Sequence, residues 1–146
     1  MPKIVDILST ADALAERIGA LASLAGVEIL ANRQKDLEAA INAGVGKAEG
    51  MAVIIDPVRG TMVDPDSSTL AMENSYVISI WSQPVLLADQ ATPAARALVD
   101  IIRSVHHWKP HPNTQPLHRL QVTGWQITPD ESFMIYTIEA TLTEIL

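Results

Sequence analysis

Apolar residues at Ala94, Leu98, Ile101, Ile102 and Val105 recur at helical spacing, with Arg96, Asp100 and Arg103 on the other side. The stretch Thr92–Trp108 therefore predicts an amphipathic helix, capped by the Thr92 hydroxyl, started by Pro93 and closed at Lys109-Pro110. Near the N-terminus, Ile4, Ile7, Ala11, Leu14, Ile18 and Leu21 alternate at intervals of three and four, which predicts a second helix over Ile4–Leu24. Ser9-x-x-Asp12 resembles a capping box that would start this helix near Thr10, and Gly26 is a plausible stop.

Elsewhere the period changes to two. Val27–Asn32 reads as a short strand, and Gln34–Ala43 as a short helix ended by Gly44 and Gly46. The apolar run Met51–Ile55 makes Ala48–Asp56 a buried strand, stopped by Pro57. In Asn74–Ser82, Tyr76, Ile78 and Ile80 face one way and Val77, Ser79 and Trp81 the other, as in a strand covered on both sides. His118–Thr128 and Phe133–Ile145 predict two antiparallel strands joined at Pro129–Ser132. In the first, Leu120, Val122, Gly124 and Gln126 share one face, opposite Trp125 and Ile127. In the second, Met134, Tyr136, Ile138, Ala140 and Leu142 share one. The expectation is an α+β fold: an antiparallel or mixed sheet of four to five strands, with both helices packed on it.

The segment 57–73 has a different character. Gly60, Pro65, a Ser-Ser-Thr run and the acids Asp64 and Asp66 are turn signals, while Val58, Met62, Val63, Leu70 and Met72 flank the turn. Two readings fit: a hairpin arm with its tip near Asp64–Ser68, or a surface loop. An arm of this size cannot stabilise itself, so its apolar flanks would need a partner, most naturally a neighbouring subunit.

At 146 residues the chain suits a single domain, 1–146. It lacks cysteine, which removes disulfides, thiolate metal sites and thiol nucleophiles. No apolar run is long enough to span a membrane, and Asp6 and Asp12 interrupt what would be a signal core, so neither membrane insertion nor secretion is expected. The net charge of −7 is concentrated in residues 48–91, where Glu49, Asp56, Asp64, Asp66, Glu73 and Asp89 face Arg59 alone. That balance opposes tight phosphate binding, either as ordinary solubilising charge or as a surface that repels nucleic acid.

Candidate chemistry is sparse. His106, His107, His111 and His118 are the weak candidates for a metal-dependent enzyme. Their spacing matches no ligand motif, however, and adjacent helical residues point about 100° apart. Nucleophile-elbow, phosphate-loop and dinucleotide-binding motifs are lacking. Asp64 and Asp66 flank Pro65 in a turn, which is no walled cleft for a catalytic pair. No active site and no cofactor is expected.

In the order of these elements the chain resembles the tail terminator proteins of long-tailed bacteriophages. The likeness runs through the N-terminal helix, the strand Val27–Asn32, the strand and polar arm Ala48–Glu73, the strand Asn74–Ser82, the helix Thr92–Trp108 and the closing hairpin His118–Ile145. It is one of size, order and composition and rests on no signature motif. The helix Gln34–Ala43 is additional, and the proline-rich loop Lys109–Pro116 has no assigned counterpart. The resemblance implies a structural virion protein, made in the host cytoplasm and placed at the neck-proximal end of the tail. It would cap the tail tube protein as a hexameric ring, end polymerisation and meet the head-side connector or neck protein. Val58, Met62, Val63, Leu70 and Met72 would then contact the next subunit. Glu49, Asp64, Asp66 and Glu73 would face a lumen through which DNA passes without specific binding. Another head–tail adaptor or tube component is the neighbouring alternative.

Overall fold

The computed structural model describes residues 7–31, 50–82, 93–110, 119–129 and 133–145. Helix α1 (Ile7–Gly19) is followed by a 3-10 turn (Ala22–Leu24) and strand β1 (Glu28–Ala31). Strands β2 (Met51–Met62) and β3 (Ala71–Ser82), helix α2 (Pro93–Val105) and strands β4 (Gln121–Pro129) and β5 (Met134–Ile145) complete the order. The five strands form one mixed sheet in the order β1-β2-β3-β5-β4. β1 runs parallel to β2, and every other pair is antiparallel. The chain is thus of the α+β class.

Both helices lie on one face of the sheet. Alternation puts Val53 and Ile55 of β2, Tyr76, Ile78 and Ile80 of β3, and Ile138 and Ala140 of β5 on that face. There they meet Ala11, Leu14 and Ile18 of α1 and Ala97, Leu98, Ile101 and Val105 of α2 in a single core. The opposite face carries a smaller cluster of Leu30, Ala52 and Ile54, against which Trp81 and Phe133 pack edge to face at 5.4 Å.

The sequence reading needs four corrections. Pro57 does not stop β2, which continues to Met62. β1 accompanies β2 only as far as the Ala31–Ile55 pair, so among the described residues Pro57 sits on an edge stretch of β2, where a missing N–H is tolerated. The register also shifts there, between Pro57 and Arg59. The N-terminal helix begins by Ile7 and ends at Gly19, so Ser9 and Asp12 lie inside it and are not a cap. Gly26, at φ +81, shapes the turn into β1 instead. α2 ends at Val105, short of Pro110, because His107 takes a left-handed φ of +63. Finally, a shift between Val122 and Gly124 breaks the alternation of β4. Val122 lies opposite Ala140 and Trp125 opposite Ile138, so Trp125 shares the helix-bearing face with Val122. Thr92, Gln34–Ala43, and the loop beyond Pro110 fall outside the described residues.

Ile101 is fully buried between α2 and the sheet. Ile101→Ala should lower stability by about 2–5 kcal/mol. Urea titration should show an earlier midpoint with an unchanged slope. An unshifted midpoint would remove α2 from the core.

Candidate functional site

Coverage of the sheet is oblique. At its start, α1 reaches β5 through Thr10, whose hydroxyl donates to Glu144 Oε2 at 2.6 Å. At its end, a Cβ on Gly19 would stand 3.5 Å from Ile29 Cδ1 on β1. α2 finishes over β4, where the Val122 N–H donates to His106 Nδ1 at 3.0 Å. Helices of 13 residues span only about 20 Å. Three of the strands have 12 residues, or about 40 Å. Among the described residues, these helices leave two corners of the sheet uncovered: the far half of β2 and the far half of β4.

Between the helices and the first open corner lies an enclosed polar group. Glu144, 3% exposed, occupies a core position on β5. It accepts hydrogen bonds from Thr10 Oγ1, from Asn74 Nδ2 at 3.2 Å and from the Tyr76 hydroxyl. Burying a carboxyl is costly unless donors surround it, and these come from α1 and β3. Gly60, opposite Asn74, makes room: a Cβ there would run into Asn74 Oδ1 and crowd Met72 Cε at 3.1 Å. Thr10, Asn74 and Tyr76 are as deeply enclosed as Glu144, so the group ties α1 to the sheet and offers no surface to a substrate. Its signal in the sequence is an acid on the Met134–Leu142 face, matched by Asn74 on the Tyr76–Ile80 face.

Beyond this group, β2 and β3 continue as a hairpin paired as far as Met62 and Met72, with β5 still alongside β3. The 57–73 segment is therefore an arm and not a loop. Its turn is held by local bonds. The Val63 N–H donates to the Ala71 carbonyl at 3.0 Å, the Asp66 N–H to Asp64 Oδ1 at 3.1 Å, and the Thr69 N–H to Ser67 Oγ at 3.1 Å. Val58 and Val63 are each 57% exposed, Leu70 44% and Met62 36%, while Met72 is half-buried. Asp64, Asp66 and Glu73 are exposed, and Glu73 points to the face without helices. Glu49 lies outside the described residues.

The second open corner escaped the sequence reading. Trp125 is 59% exposed and Ile127 46%, on the helix-bearing face of the edge strand β4. A regular alternation hides them, because only the bulge aligns them with Val122. Just before β4, the His107 N–H donates to the Leu120 carbonyl at 2.7 Å. The Leu120 N–H donates to the Trp108 carbonyl at 2.8 Å, and Arg119 Nη1 to the His107 carbonyl at 3.0 Å. The left-handed turn at His107 brings its ring to 4.0 Å from that of His106, closer than two helical neighbours would stand. His106 already spends Nδ1 on Val122, and His111 and His118 lie outside the described residues. Among the described residues no His, Asp or Glu cluster is arranged to hold a metal ion.

A shallow groove between α1 and the end of α2 is lined by Glu16, Arg17, Leu21, Trp108 and Pro110. Arg17 bridges the two helices there: Nε donates to the Ser104 carbonyl at 2.7 Å, and the guanidinium lies 4.8 Å from the centre of the Trp108 ring. This satisfies a carbonyl of the last turn of α2 and adds a cation–π contact. No helix among the described residues is long and apolar enough to cross a membrane. In comparisons with known proteins, the chain matches no family model and no curated protein.

Glu144→Ala should cost about 2–4 kcal/mol, because it strands buried donors on α1 and β3. Glu144→Gln, which keeps an acceptor oxygen, should fall between that variant and the parent in thermal unfolding. Equal melting temperatures for all three would mean that the carboxyl does not hold α1. Gly60→Val should cost about 1–3 kcal/mol through the forced shift of Asn74, read in the same experiment.

Proposed function

We propose that this chain is a structural protein of a long-tailed bacteriophage, a tail terminator that caps the tail tube as a ring of its own copies. The observation that carries this reading is the arm: a paired hairpin that ends in exposed Val58, Met62, Val63 and Leu70 around an acidic turn. Exposed apolar side chains gathered at one end of a sheet mark an association surface. Residues 56–73 form the subunit contact. The tail tube protein and the head-side connector are the axial neighbours, and the ring is hexameric. Glu49, Asp64, Asp66 and Glu73 contribute the negative field of the channel, which keeps passing DNA from adhering. The charge excess of residues 48–91 supports that role.

Size-exclusion chromatography with light scattering tests the contact. The full chain should elute as a closed ring, and a variant lacking residues 60–70 as a monomer. Full rings from the deletion variant would refute the arm as the contact. Electron microscopy of particles carrying a labelled copy tests the location, with label expected only at the junction of tail and neck.

A further inference from the structure

The arm needs a surface to meet, and the sheet itself offers one. Among the described residues, β2 is an edge strand from Asp56 to Met62, where its residues are exposed from Val58 on and its β1 pairing has ended at Ile55. β4 is the other edge of the same sheet, exposed at Gln121, Thr123 and from Trp125 to Pro129. We infer that β4 of one copy pairs with the arm segment of β2 in the next, joining the sheets of neighbouring copies edge to edge. The inference rests on the ring reading for its occupant, a second copy of this chain.

Direction and charge both favour this pairing. β4 is antiparallel to β5, β5 to β3 and β3 to β2, so β4 and β2 run in opposite senses. A second copy set alongside in the same orientation therefore presents its β2 antiparallel to β4, the pairing that adds strands most readily. In that arrangement the start of β4 lies beside the tip of the neighbouring arm. Arg119, held against the His107 carbonyl, then approaches Asp64 and Asp66. The two-fold alternatives lack this match. Antiparallel β2–β2 contact would set Asp64 of each copy toward Asp56 of the other, and β4–β4 contact would leave both acidic tips unmet. Trp125 and Ile127 supply apolar cover on the helix-bearing side of the joint, where Met62 comes from the other copy. The contact uses two different surfaces on each copy, so it propagates and can close as a ring.

The absence of native cysteine makes a direct test available. Thr61 and Gln121 lie on the same face of the sheet, away from the helices. Registers that match faces place Thr61 opposite Gln121 or, past the bulge, Gly124. The full chain carrying Thr61→Cys with Gln121→Cys, or Thr61→Cys with Gly124→Cys, is oxidised mildly and run on a non-reducing gel. One double variant should give a ladder from dimer up to the ring size, while each single variant stays monomeric on the gel. Cross-linked dimers from a single variant would show a two-fold contact and overturn the inference. Rings by light scattering without a ladder from either pair would overturn the edge joint and leave the ring reading standing. A ladder of open-ended polymers with no closed ring would keep the joint and remove the ring. A monomer by light scattering with no cross-link at the highest soluble concentration would overturn both.

Discussion

The fold is governed by a mismatch of lengths. Strands advance about 3.3 Å per residue and helices 1.5 Å. Twelve-residue strands roofed by 13-residue helices cannot be covered from end to end. α1 lies obliquely, from Thr10 at β5 to Gly19 at β1, and with α2 closes the core on β2, β3 and β5. Among the described residues two corners are left uncovered, one on β2 beyond Pro57 and one on β4 around Trp125.

Different devices limit the exposure at these corners. At the boundary of the arm, Glu144 replaces an apolar residue and accepts from Thr10, Asn74 and Tyr76, so the core ends in a carboxyl supplied with donors, while Asn74 Oδ1 stays buried without a partner. Pro57 and the register shift beside it blunt the β2 edge, which weakens indiscriminate strand pairing. The acids at the turn add charge where the arm is most exposed. β4 has fewer protections: a bulge near its start and Arg119 before it, but an indole and an isoleucine open to solvent along its length. A chain that restricts one edge and leaves apolar anchors on the other is suited to a directed contact between copies.

Much of the architecture was legible from local pattern. The alternation of Tyr76, Ile78 and Ile80 and the seam of Leu98, Ile101 and Val105 give strand, helix and buried face, because side-chain burial repeats at the period of the element. Glycine, proline and acids around Asp64 marked the tip of the arm, and its apolar flanks marked the candidate surface. What escaped depends on pairings distant in sequence. The continuation of β2 through Pro57 follows from where β1 ends, and the face of Trp125 follows from a bulge against β5. The parallel sense of β1, the donors around Glu144 and the close approach of the histidine rings likewise arise only once the strands and helices are assembled.

The central claim is that the two uncovered edges are completed by other copies of the chain. Hydrogen–deuterium exchange, followed by mass spectrometry on assembled and diluted protein, reads those edges directly. The account predicts that amides in residues 58–62 and 121–128 slow together on assembly, while those of Ile78 and Ile138 stay slow throughout. Unchanged, rapid exchange at both edges in the assembled protein would contradict it.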